Sequence, residues 1–448
     1  MRISRSFNIH SILSVIVAVL CLMFSSALCS VYSQNMSFER QRGADMLENI
    51  KNDLKKNYYD ATFRNMDIDA RFKVSSEKIK EATSVGQILG IIAQTLIDLN
   101  DSHTFFLPPS RASRIDYGWQ MQIIGDKCYV VAVKPGSDAE AKGLKPGDEV
   151  YSIDGFGPTR ETLWKMKYFY YTLRPRAGMH VILRDPGDKA REMDVMAKVK
   201  QGKKVMDISG GGNGSDIWEL VREAENEDRL RRQRYIELGD DLMIWKMPEF
   251  DLSDQGVDDM MSKASKRKAL ILDLRGNPGG AVTTLQRLMG YFFDKDLKIA
   301  DLKGRKELKP MMAKTRGDKV FKGQLVVLID SQSASAAEIF SRVVQLEKRG
   351  TVIGDRSSGA VMRSRVYDHQ VGTDTVVFYA TSITDADVIM SDGQSVERVG
   401  VTPDELILPT AADLLAKRDP ALSRAAALVG VKLEPEKAGA LFPIEWQK

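Results

Sequence analysis

Ser335 stands where a nucleophile would be placed. An apolar run, Leu325 to Asp330, leads into Ser331-Gln332-Ser333-Ala334-Ser335-Ala336-Ala337-Glu338, and an apolar-periodic helical segment follows. A serine at a strand-to-helix corner is exposed, and the helix N-terminus favours negative charge developing beside it. A plain N-cap serine would look much the same; the small residues on both sides favour the nucleophile, because a scissile backbone must approach closely. A second constellation, Asp273-Leu274-Arg275-Gly276-Asn277-Pro278-Gly279-Gly280, ends another apolar strand and opens another helix. Paired glycines there free backbone N–H groups to point at a ligand, as an oxyanion hole requires, although an ordinary glycine-rich turn has the same composition. For a base the chain offers four histidines. His10 lies in an N-terminal leader, His180 in a strand-like segment and His369 in no evident motif, which leaves His103, in Asp101-Ser102-His103-Thr104, as the natural general base.

These residues need a scaffold, and the hydrophobic patterning supplies one. From Tyr235 to about Pro409, strand-like segments (269–274, 325–329 and 375–379) alternate with helical ones (282–292 and 336–347). Such alternation predicts an α/β core with buried strands. Upstream, Phe38 to about Leu99 reads as helical. Met46, Ile50, Leu54 and Tyr58 recur every four residues, and Val85, Ile88, Leu89, Ile92 and Leu96 repeat the pattern, with Thr83 or Ser84 as a cap. Pro108-Pro109 ends that segment. Residues after Thr410 read as a terminal helix and tail. Ser209 to Ser215 is a glycine-rich linker without the Gly-Lys-Ser/Thr ending of a phosphate loop, so nucleotide binding is not expected there. The mixed charges of Trp218 to Arg234 predict a helix with a solvated face.

Between the helical segment and the α/β core, residues 115–199 change to short strands broken by glycine turns, with strands expected at Lys127 to Val133 and His180 to Arg184. The run Pro135-Gly136-Ser137-Asp138-Ala139-Glu140-Ala141-Lys142-Gly143-Leu144-Lys145-Pro146-Gly147-Asp148-Glu149-Val150, followed by Ile153-Asp154-Gly155, resembles a PDZ domain. Asp138 and Lys142 depart from the usual proline and alanine. The resemblance implies a peptide-binding loop at Tyr117, Gly118, Trp119 and Gln120, whose backbone N–H groups would hold a peptide C-terminus beside an added strand.

The Asp-Leu-Arg-x-Asn-x-Gly-Gly and Ser-x-Ser-Ala-Ser-Ala-x-Glu segments, with a PDZ-like and a helical segment before them in that order, resemble the C-terminal-processing peptidases. The resemblance spans nearly everything after the leader and implies a core of the crotonase or Clp-protease-like fold. One position departs from the best-known branch, which uses a Ser-Lys dyad. The lysine position here is Ala360, and the nearby Arg356, Arg363 and Arg365 are poor bases because a guanidinium stays protonated. The tricorn-core branch implies instead a Ser-His-Ser-Glu tetrad. Ser335 is then the nucleophile and His103 the base, with Ser102 bridging His103 to a carboxylate. Glu397 fits that carboxylate best, in Glu397-Arg398-Val399-Gly400-Val401-Thr402-Pro403-Asp404; Asp101 and Asp392 are weaker competitors. The oxyanion would be held by the N–H of Ala336 and of Gly279 or Gly280. No metal or other cofactor is expected.

Length and composition agree with this reading. The 448 residues predict roughly three domains. The formal net charge of +4 falls to about +2 once Arg2 and Arg5 of the leader are set aside, too little to suggest a nucleic-acid partner. Those arginines precede an apolar run, Ile12 to Leu28, and then small residues, which reads as a secretory signal peptide cleaved between Ala27 and Ser33 or else retained as a membrane anchor. Of three cysteines, Cys21 and Cys29 sit in or beside this leader, so the mature chain would keep Cys128 and no internal disulfide. The expected division is a leader (1–33), a helical unit (34–112), a PDZ domain (113–203), a linker with the charged helix (204–234), a catalytic core (235–409) and a C-terminal helix and tail (410–448). The expected function is an exported serine endopeptidase acting on protein or peptide substrates with an exposed C-terminus, as a monomer or a homo-oligomer. The competing readings are an inactive PDZ scaffold and an apolar-ligand-binding protein on the same fold.

Overall fold

The computed structural model describes residues 36–109, 113–201, 232–372 and 376–446. The leader, the Ser209–Ser215 loop and residues 218–231 of the charged stretch lie outside the described residues.

The alternating segments of the C-terminal half build a six-stranded sheet. Its order is Glu405–Leu406, Thr351–Gly354, Gln324–Ile329, Ala269–Asp273, Leu242–Lys246 and Arg234–Leu238. Neighbours run parallel except the last pair, which is antiparallel. The inner strands are apolar at almost every position because helices cover both faces. Met243, Trp245, Leu270, Leu272, Val327 and Ile329 pack with helices Asp254–Ala264, Val282–Met289 and Ala336–Leu346. The intervening Leu242, Ile244, Ala269, Ile271, Val326 and Leu328 pack on the other side with helices Pro420–Leu428 and Pro435–Leu441. Alternate residues of a strand face opposite ways, so one apolar run serves two cores.

The C-terminal residues are therefore more than the expected helix and tail. Three short helices (Ala411–Leu415, Pro420–Leu428 and Pro435–Leu441) follow Thr410, and Leu422 and Ala425 are fully buried against the sheet. Their alanine-rich contact face is weakly hydrophobic in sequence but allows close approach.

A second sheet stands beside the first. Val377–Ile389 pairs antiparallel with Met362–Val371 along one edge, and with Phe105–Leu107 and Leu297–Lys303 along the other; Met311–Ala313 extends it. The strand expected near residues 375–379 is thus the start of a much longer one. Phe105–Leu107 was expected inside the helical unit, yet its pairing partners lie in the C-terminal half.

The N-terminal segment is helical at residues 36–57, Ile68–Glu81 and Val85–Ile97. The four-residue repeat explains the packing: Ile50, Leu54, Tyr58, Ile92 and Leu96 are fully buried in one cluster with Phe106 and Ile383. Ser84 caps the third helix, its hydroxyl accepting the Gln87 N–H.

Residues 119–196 form a five-stranded antiparallel sheet in sequential order: Trp119–Ile124, Lys127–Val133, Glu149–Ile153, Gly178–Arg184 and Ala190–Met196. Polar contacts hold it to the C-terminal half. Arg160 makes a two-pronged ion pair with Asp355, 2.7 Å to each oxygen, and Gln122 Nε2 donates to Asp330 Oδ2 at 2.7 Å. The Ser331 hydroxyl donates to the Ile123 carbonyl. Cys128 is buried in this unit's core, and burial pushes its thiol up to about 12.

Candidate active site

The corner that holds Ser335 is built by the turn after Gln324–Ile329. Asp330 Oδ1 accepts the N–H groups of Gly276 and Gln332, each at 2.9 Å, and the Ser333 hydroxyl donates to the Leu274 carbonyl at 2.8 Å. These bonds tie the turn to the end of the neighbouring strand. Ser335 then adopts φ 54° and ψ −118°, immediately before helix Ala336–Leu346. That conformation costs a non-glycine residue roughly 1–3 kcal/mol and persists only where the surroundings impose it. Here the Ser335 N–H is shared between the Ala360 carbonyl at 2.9 Å and Glu338 Oε2 at 3.0 Å.

Glu338 is fully buried and accepts three further donors: the Ser357 hydroxyl at 2.5 Å, the Gly359 N–H at 2.7 Å and the Ala360 N–H at 2.9 Å. Burial raises its carboxyl to about 7, against the pull of those donors. Its side chain thereby fastens residues 357–360 to Ser335. In the sequence alone this glutamate has no evident role. The available signal was a glutamate three residues after an N-cap serine, the spacing of a capping box.

His103 reaches the same place from the other end of the chain. Asp101 Oδ1 accepts the N–H of His103 at 2.9 Å, the N–H of Thr104 at 3.1 Å and the Thr384 hydroxyl at 2.7 Å, while Oδ2 accepts the Tyr58 hydroxyl at 3.0 Å. Asp101 therefore shapes the loop and does not hold the imidazole. Ser382 Oγ donates to the His103 carbonyl at 2.7 Å, and strand Phe105–Leu107 pins the following residues to the long hairpin. Asp392, the other competing carboxylate, pairs with Arg342 at 2.5 Å.

Four side chains then form one line. Ser335 Oγ is 3.4 Å from His103 Nε2, His103 Nδ1 is 2.7 Å from Ser102 Oγ, and Ser102 Oγ donates to Glu397 Oε2 at 2.7 Å. Glu397 also accepts the Ser102 N–H at 3.1 Å and the Val361 N–H at 2.9 Å. All three partners donate, which suits an ionised carboxylate. Ser102 must give its only proton to Glu397, so it accepts from Nδ1–H of His103. The tautomer follows: Nε2 carries the lone pair facing Ser335. Burial lowers the His103 pKa, opposed by the charge of Asp101, and burial raises that of Glu397, opposed first by the Ser102 hydroxyl. The remaining described histidines are engaged elsewhere, His180 Nδ1 with Asp194 at 2.8 Å and His369 Nε2 with Asp53 at 2.6 Å. Ala360 meets Ser335 through its backbone, its carbonyl accepting the Ser335 N–H at 2.9 Å.

The glycine pair lies against the nucleophile, but its members differ. Gly279 has φ +99°, and a Cβ there would lie 2.6 Å from Ser335 Cβ. Its N–H donates to Asn277 Oδ1 at 2.8 Å, so Gly279 is removed from the candidate oxyanion donors. Gly280 and Ala336 keep N–H groups with no partner among the described residues. Gly280 has φ +136°, and a Cβ would lie 2.4 Å from the Phe250 carbonyl. Gly280→Ala is accordingly expected to lower kcat at least tenfold and to reduce Tm by several degrees, measured by peptide hydrolysis and thermal unfolding.

The expected peptide-binding loop is divided. Tyr117 and Gly118 precede the strand, whereas Trp119 and Gln120 begin it. Tyr117 is buried, its hydroxyl donating to the Arg176 carbonyl at 3.0 Å. The Gly118 N–H donates to Asp116 Oδ1 at 2.9 Å and so is not free for a peptide carboxylate. A cavity of about 360 Å³ opens beside Tyr117 and Gly118, bordered by Lys134, Ser137 and Lys198.

Residues 242–407 match the model of peptidase family S41. Over 321 residues the chain is 25% identical to the tail-specific protease of Haemophilus influenzae, covering 66% of this chain and 43% of that protein. It is 24% identical over 402 residues to the carboxy-terminal processing protease CtpA of Bacillus subtilis, covering 88% and 75% respectively. The chain thus spans less than half of the first relative and about three quarters of the second. Among solved structures, mature CPAF superposes with a TM-score of 0.62 at 15% identity, covering 84% of this chain and 94% of that one, which establishes a shared multidomain fold of mixed helix and sheet. Ser335 and the glycine pair both lie inside the segment that matches peptidase family S41, and the chain around it is similar to C-terminal processing proteases.

Proposed function

We propose that this chain is an exported endopeptidase that cleaves proteins or peptides near an exposed C-terminus through an acyl-enzyme on Ser335. The observation that carries the reading is the unbroken line Glu397–Ser102–His103–Ser335, assembled from segments almost three hundred residues apart. His103 Nε2 takes the Ser335 proton as Oγ attacks the peptide carbonyl. The imidazolium is stabilised through Ser102 by the Glu397 carboxylate. The N–H groups of Gly280 and Ala336 hold the oxyanion, the latter at the positive end of helix Ala336–Leu346. His103 then returns the proton to the leaving amine, and water, deprotonated by His103, releases the acyl group. The 3.4 Å separation of Nε2 and Oγ is ordinary for an enzyme without substrate, where such bonds tighten only on binding.

We assign residues 113–203 to a PDZ domain and residues 235–409 to a crotonase or Clp-protease-like core. The sequential five-stranded sheet with Trp119–Ile124 as its edge strand supports the first assignment, and the largely parallel sheet between helices supports the second. The leader's basic start and apolar run support export. An inactive scaffold has no use for a four-residue proton line, and this disfavours the alternative.

Peptide hydrolysis tests the substrate class. A peptide with a free C-terminal carboxylate is expected to be cleaved at least tenfold more efficiently than the same peptide amidated, the difference lying in KM. Equal kcat/KM for the two would sink C-terminal recognition while leaving the chemistry intact.

A further inference from the structure

Asn277 is fully buried between three segments of the site, and every polar atom of its side chain that faces protein is used. Oδ1 accepts the Gly279 N–H at 2.8 Å, and Nδ2 donates to the Met247 carbonyl at 2.9 Å. A carbonyl can only accept and an N–H can only donate, so these two partners fix the amide's orientation. The backbone carbonyl of Asn277 accepts the N–H of Ala334, the residue before the nucleophile, at 2.9 Å. The same residue thus holds the end of strand Leu242–Lys246, the glycine pair and the nucleophile loop.

We propose that Asn277 is a positioning residue that selects the oxyanion donor: by holding the Gly279 N–H it leaves Gly280 as the glycine whose N–H faces the reaction. This rests on the serine-peptidase reading above and names a residue that acts through the backbone without touching substrate. The Gly279 carbonyl accepts the Phe250 N–H at 2.7 Å, which fixes the Gly279–Gly280 peptide, so the freedom left to lock is that of the Pro278–Gly279 peptide, whose N–H would otherwise be able to turn. The lock has to be a short side chain carrying an acceptor on one atom and a donor on the other, which an asparagine supplies and an aspartate or a leucine does not. Gly279 is also held by close packing, since its Cα hydrogen faces Ser335 Cβ, Ala334 O and Ala336 N. Packing sets its place, and Asn277 sets the direction of its N–H.

The test compares Asn277→Leu and Asn277→Asp in the full chain. The leucine variant removes both bonds and is expected to lower kcat by about 10²-fold, with KM within about twofold, because the affected group acts in the transition state. Affinity for a peptide boronate, which bonds to Ser335 and places an oxygen in the oxyanion site, should fall by the same factor as kcat/KM. Affinity for an uncleaved peptide, measured in the Ser335→Ala background, should not change. Asn277→Asp keeps the acceptor for Gly279 but turns a second acceptor toward the Met247 carbonyl, so it should recover only part of the lost kcat. Wild-type kcat and boronate affinity in Asn277→Leu would overturn the proposal, as would an equal loss of ground-state peptide affinity. Amide exchange of the wild type is independent of chemistry and of any variant's folding. Gly279 should exchange at least tenfold more slowly than Gly280, and equal rates would overturn the assignment. A wild type that no fluorophosphonate labels at Ser335 would instead sink the peptidase reading.

Discussion

Ser335→Ala is expected to abolish labelling by a fluorophosphonate probe and to lower kcat/KM for peptide hydrolysis by roughly 10⁴- to 10⁶-fold. The size follows from the site. Ser331 and Ser333, the nearby hydroxyls of the loop, are held by the Ile123 and Leu274 carbonyls, so neither can replace Oγ in front of His103. The variant should fold. Ser335 Oγ makes one long hydrogen bond, and the strained φ is imposed through the backbone N–H, which alanine keeps. Stability should therefore change by no more than about 1 kcal/mol. Intact protein mass after labelling, read together with thermal unfolding, decides the matter. Label retained on a folded Ser335→Ala protein would place the nucleophile elsewhere.

His103→Ala should lower kcat by about 10³- to 10⁴-fold, and adding Ala360→Lys to it should not return wild-type activity. A lysine at 360 would start from backbone that touches Ser335, but no carboxylate line stands behind it as Glu397 and Ser102 stand behind His103. The pH profile gives an independent check. His103 works as a base only when neutral, and burial holds its pKa below the ordinary 6.5. Activity should thus climb as pH rises through that lowered value and reach its plateau by about pH 7. In His103→Ala this acid limb should vanish from the residual rate. A fully active His103→Ala enzyme, or an acid limb unchanged by the substitution, would remove His103 from the mechanism.

Much of the site was legible because its parts are local motifs. Ser335 sits at a strand-to-helix corner that the apolar run and the following periodicity mark out, and Gly279 and Gly280 mark a second corner of the same kind. The alanine at position 360, where a Ser-Lys dyad would need lysine, is equally local, and it leaves His103 as the candidate base. Less legible were residues whose roles depend on distant partners. Glu338 looks like one more helix glutamate until Ser357, Gly359 and Ala360 are folded onto it. Asp101 competed with Glu397 on sequence grounds, and only the turn that presents its oxygens to backbone N–H groups excludes it from the imidazole.

By itself, then, the amino-acid sequence determined the α/β alternation, the helical repeat around Ile50 and Leu54, and the candidacy of Ser335 and His103, because each of these is written in neighbouring residues through period or motif. The tertiary structure decided what pairs across the chain. It drew strand Phe105–Leu107 into the second sheet, packed Leu422 and Ala425 against the central one, brought Glu397 to Ser102, and left the Gly280 N–H free by occupying that of Gly279. The physical reason is that a hydrogen bond's partner and direction depend on backbone placed by packing, and local spacing cannot encode them.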